Sequence, residues 1–172
     1  MLEIAQKIYE TAQRYSESAK ILNSINLEQR KSSQIMAALS LELYFKCIYL
    51  IENGKEFKVN GNRSHDFKKL FEDLDEKTKD LIVSYYNILI STRDLSDIKA
   101  IEKKMVGKHI INTSFHSIIE NWSNVFIKFR YSYEPANRYI DMFFFPEIEE
   151  ALLSIINAKM ILDINSTAHN ES

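Results

Sequence analysis

Apolar positions recur at three- and four-residue steps over most of this chain, the period of an α-helix with one buried stripe. In residues 2–23 the stripe is Ile4, Ile8, Ala12, Tyr15, Ala19 and Leu22. A second helix is predicted over about 27–53, with Asn26 as its N-cap and Gly54 where a left-handed C-cap is expected. The run GKEFKVNGNRS, residues 54–64, is a loop by composition, with Gly61 and Asn62 marking a turn. Ser64 or Asp66 can cap a short helix bearing Phe67, Leu70, Phe71 and Leu74, and Asp75 can start another running to about Ser91. Asp97 to Met105 reads as a further short helix ended by Gly107. The next strong helix spans about 110–134, with Phe115, Ile118, Ile119, Trp122, Phe126, Phe129 and Tyr133 as its core stripe and Pro135 after its end. Pro146 suits the first turn of a last helix over about 147–164, which presents Ile148, Leu152, Ile155, Ile156, Lys159 and Leu162. The pattern predicts one all-α domain over residues 1–164, an up-and-down helical bundle of about five to six helices. Residues 165–172, NSTAHNES, read as a flexible C-terminal tail.

Composition agrees with long helices, since only three Gly and two Pro occur in 172 residues. A net charge of −2 supplies no global basic field for nucleic acid, so any RNA contact would be local. Cys47 is the only cysteine, which excludes an intrachain disulfide and fits a reducing, cytoplasmic setting. The opening MLEIAQKIYE has no continuous apolar core and is not read as a signal peptide. The apolar run 35–51 is short for a membrane span and is interrupted by Ser40, Glu42 and Lys46, so no membrane association is expected.

That run, IMAALSLELYFKCIYLI, is the most informative stretch. It is apolar nearly all round, as in a helix at the centre of a domain, yet carries Glu42 and Lys46 about 40° apart on one side. Buried charges are costly unless paired or needed. On the later helix, Arg130 and Glu134 fall at about 80° and 120° from Trp122, in a polar strip with Asn112, His116 and Ser123. If the two helices are neighbours, Glu42 and Lys46 meet Arg130 and Glu134 in one network. The plainer alternative is a boundary stripe with a surface Arg130–Glu134 pair.

The order SLELYFKCIYLI, then SHDFKKLFEDL, then KFRYSYE before a proline resembles the HEPN superfamily of small prokaryotic helical bundles. Ser40-Leu41-Glu42 with Lys46 matches the "S-x-E-x-x-x-K" style of helix found in relatives. His65-Asp66-Phe67 with Leu70 matches the "HDL-x-x-L" segment that follows it. The resemblance covers about residues 35–135. It implies an up-and-down bundle, frequent homodimers, and roles in toxin–antitoxin, abortive-infection and other defence systems. Many members are metal-independent endoribonucleases, in which an arginine followed after four to six residues by a histidine cuts RNA. The histidine manages protons at the 2′-hydroxyl and the arginine stabilises the phosphorane charge.

Arg130 stands in the arginine position, but Pro135, Ala136 and Asn137 occupy the places where the histidine belongs. None of the other five arginines has a histidine at that offset. The candidate catalytic residues are therefore Arg130 and Glu134, with His65 as a substitute proton carrier. Glu42, Lys46, His116, Tyr133 and Asn137 are candidate binding residues. His65, His109, His116 and His169 form no zinc-like spacing with Cys47, so no metal or cofactor is expected. Three functions follow. The first is a binding or partner module of a toxin–antitoxin, immunity or abortive-infection system, with a degenerate ribonuclease site and a partner protein from the same system. The second is an active endoribonuclease built on Arg130. The third is a nucleotide or small-ligand binder with Glu42, Lys46 and Arg130 lining a pocket.

Overall fold

A computed structural model describes residues 1–26, 29–60, 62–63, 65–96, 98–99, 112–123, 142 and 144–170. Six helices run through these residues: α1 Leu2–Ile25, α2 Arg30–Asn53, α3 Phe67–Glu72, α4 Glu76–Thr92, α5 Phe115–Ser123 and α6 Phe145–Asn170. The fold is an all-α helical bundle, and the sheet content among the described residues is one two-residue hairpin, Lys58–Val59 against Asn62–Arg63.

Local chemistry sets most boundaries. The side chain of Asn26 accepts from the Gln29 N–H at 3.0 Å just before α2. Gly54 closes that helix at φ 67°, a left-handed backbone that costs glycine nothing, and its N–H bonds the carbonyl of Leu50. Asp66 caps α3 by accepting from the Lys69 N–H, and Asp75 caps α4 by accepting from the Lys77 N–H. The stretch expected as a plain loop, 54–64, contains the hairpin, with Asn60 at φ 51° between its strands.

Side-chain contacts give the helix directions. Ser33 reaches the carbonyl of Ala19, and Cys47 that of Ala5, so α1 and α2 are antiparallel. Tyr44 meets Glu149 while Lys159 meets Glu52, so α6 runs parallel to α2. The Asp75 N–H bonds Glu52 and Arg93 pairs with Glu147, so α4 runs against both. The long helices thus alternate up and down around α2, which packs on α1, α3 and α6. By length and hydropathy α2 could cross a membrane, but here its faces are occupied by those helices.

Three expectations need correction. In α1, Ala12 and Ala19 are buried as expected, joined by Ala5 and Ser16, but Ile4 of the expected stripe is 55% exposed. Small side chains face α2 because they let two backbones approach closely, and the larger Ile4 is left outside. Leu162, expected on the inner face of the last helix, is 68% exposed, although Ile148, Leu152, Ile155 and Ile156 are buried as expected. That helix also runs on through the polar stretch 165–170, since no Gly or Pro between 147 and 170 interrupts it.

In α5, Phe115, Ile118, Ile119 and Trp122 form the expected core stripe. Phe126, Phe129 and Tyr133, and the proposed 97–105 helix apart from its residues 98 and 99, lie outside the described residues.

Candidate functional site

Glu42 lies in the middle of α2 and is only 3% exposed. One turn later, Lys46 places its Nζ 2.5 Å from Glu42 Oε1. His65, immediately before the Asp66 cap of α3, brings Nδ1 to 3.1 Å from both carboxylate oxygens. A carboxylate can only accept, so Nδ1–H donates and Nε2 is the ring nitrogen facing away from Glu42. The His65 side chain is 71% exposed, so a buried anion holds a ring at the surface.

Two of the three segments that carried the family resemblance, those at 40–51 and 64–74, therefore meet at one carboxylate. The other residues that match the family pattern have structural roles. Ser40 is fully buried, and its Oγ bonds the carbonyl of Ala37 within α2. Asp66 caps α3, and Leu70 fills the core. The hairpin after Gly54 returns the chain so that His65 reaches Glu42 across 23 positions of sequence. With Lys46 charged, the cluster is neutral when His65 is neutral and carries one positive charge when it is protonated. An imidazole oriented by a carboxylate in this way can take or give a proton, or can bind an anion once charged.

Arg130, Tyr133, Glu134 and Asn137 lie outside the described residues, so the expected meeting of Arg130 and Glu134 with Glu42 and Lys46 does too. His116 belongs elsewhere. Its ring stands edge-on to Phe71 at 5.7 Å and to Phe115 at 6.0 Å, and it borders a different cleft. The Asn112 side chain accepts from the Ser114 N–H just ahead of α5, and Ser123 Oγ accepts from the Lys68 N–H in the first turn of α3, so these seam residues serve helix starts. A small cavity of about 210 Å³ borders Lys46 with Ile8, Leu43, Leu50, Glu56 and Phe57. Glu42 does not line it, and a pocket shared by Glu42, Lys46 and Arg130 lies outside the described residues. No group of three His, Cys, Asp or Glu side chains among the described residues is placed to hold a metal ion.

Periodicity reasoning overlooked a second buried carboxylate. Glu149 of α6 is buried, accepts from Ser16 Oγ and from Tyr44 Oη at 3.2 Å, and pairs with Lys20 at 2.7 Å. Burial, with Glu149 next to it, holds the Tyr44 phenol far above its ordinary value. The signal was available, because Glu149 shares the three- and four-residue spacing of Phe145, Leu152 and Ile156. Arg93 pairs with Glu147 at 2.6 Å and lies 5.4 Å over the Phe144 ring, closing the α4–α6 end. Comparison with family models, curated proteins and solved structures finds no match to this chain.

Proposed function

We propose that this chain is a HEPN-like, defence-associated binding module of the cytoplasm, homodimeric, engaging a partner protein of the same system through a degenerate ribonuclease site. What carries the reading is the convergence of Glu42 and Lys46 from one resembling segment and His65 from the next on one point. An ion pair gains little stability once desolvation is counted, and hydrophobic side chains could fill the same volume. Its retention beside a surface imidazole is better explained by recognition than by folding. The missing histidine after Arg130 and the net charge of −2 favour binding over RNA cleavage.

One observation favours the nuclease alternative. Glu42 orients His65 as a general base is oriented, so His65 with Arg130 would supply the proton carrier and the cation that such chemistry needs. Purified protein incubated with total RNA in EDTA, beside Arg130→Ala and His65→Ala variants, separates the two. The module reading expects no cleavage by any of the three and no growth defect on expression. Cleavage by the wild type that either variant loses would overturn it in favour of the nuclease. Light scattering is expected to return a dimer, and a monomer at micromolar concentration would remove the homodimer from the reading.

A further inference from the structure

A second concave site lies where α3, α4 and α5 meet, a cleft of about 670 Å³ that shares no lining residue with the Glu42 cluster. Its volume is in the range of small-molecule sites, roughly 300–1,000 Å³. The floor is apolar: Phe71 and Ile119 are buried and Val83 half-buried, with the His116 ring beside Phe71.

The charges around this floor are unequal. Four carboxylates, Glu72, Glu76, Asp80 and Glu120, face two ammonium groups, Lys68 and Lys79. Both lysines are already engaged. Lys68 Nζ is 3.3 Å from Glu120, and Lys79 Nζ is 2.7 Å from Glu76 and 3.1 Å from the carbonyl of Glu72. Their neutralisation of Glu120 and Glu76 leaves the negative charge of Glu72 and Asp80 on the α3–α4 side. A phosphate-bearing ligand such as a nucleotide would meet repulsion there. A ligand with an apolar body and a positive end meets both requirements of the cleft.

We propose that this cleft binds a small organic cation, its ring or apolar body on Phe71, Val83 and Ile119 and its ammonium beside Glu72 and Asp80. The inference is independent of the function proposed above, since this cleft and the Glu42 cluster have no residue in common.

Calorimetric titration of the full chain with tryptamine, and with indole-3-propionate as an anion of the same ring system, tests it. Tryptamine is expected to bind at submillimolar concentration and the anion at least tenfold more weakly. Because exposed charge pairs contribute little individually, each neutralised carboxylate should weaken tryptamine by about two- to fivefold. Glu72→Gln and Asp80→Asn are the variants to use, singly and together. Both positions are exposed, so circular dichroism should be unchanged. Tryptamine that fails to bind at millimolar concentration overturns the proposal. So does equal affinity for the two indoles, or a tryptamine affinity that the double variant leaves intact.

Discussion

Cys47 lies fully buried in α2, its Sγ 3.4 Å from the carbonyl of Ala5. Burial pushes its thiol up to about 12, from an ordinary value of 9.0. An acid whose native pKa lies above its unfolded value keeps its proton in the fold while the unfolded chain loses it. Its contribution is therefore complete below about pH 9 and is lost as pH rises towards 12. Tyr9, Tyr44 and Tyr86 are all raised, with burial the first cause in each, and act in the same direction. The urea midpoint is expected to fall steadily between about pH 9 and 11; a flat or rising profile would contradict this. A thiol reagent such as DTNB at pH 8 should modify Cys47 only as fast as the protein unfolds, because both access and thiolate are lacking in the fold. Single residues of this kind were readable in advance. A cysteine, a glutamate and a lysine inside an apolar run announce burial, whereas His65 as the partner of Glu42 did not, since no local period links positions 23 apart.

Among the elements, α1 and α2 show where period and size part company. Counting apolar residues places Ile4 on the inner stripe of α1 with Ala12 and Ala19; the two alanines are buried, Ala5 and Ala19 meet α2, and Ile4 lies outside. Close approach selects small side chains there. Ala12→Leu should overpack this contact and cost about 1–3 kcal/mol or more, while Ile4→Ser should stay within about 0.5 kcal/mol. Urea denaturation of both variants checks the contrast, and reversed magnitudes would show that the small-residue face is not the tight one. Caps were more legible than faces. Asp66 and Asp75 start helices and Gly54 ends one, each through bonds to its own neighbours, a property a short window of sequence contains.

For the molecule as a whole, Glu149 is the side chain that ties three helices together. It joins Ser16 and Lys20 of α1 and Tyr44 of α2 to α6. Glu149→Ala would leave the Ser16 and Tyr44 hydroxyls buried without this acceptor, at a cost of about 2–4 kcal/mol. Lys20→Met should cost less than about 1 kcal/mol, because the lysine side chain is 54% exposed and its charge is screened. Chemical denaturation of the two variants reads both values; a Glu149→Ala loss below about 1 kcal/mol would show the cluster to be incidental.

From sequence alone came the helical class, the order of the described helices, the caps at Gly54, Asp66 and Asp75, and the central burial of α2. These depend on propensity, on spacing within a few turns, and on polar atoms bonding backbone groups of their own segment. Tertiary structure alone decided that Ile4 lies outside the inner face of α1, that His65 joins Lys46 at Glu42, how Glu149 is satisfied, and where the described clefts lie. Those outcomes are set by the distance between helix axes and by contacts between segments far apart in the chain. The alternation of apolar and polar residues along one helix carries no record of either.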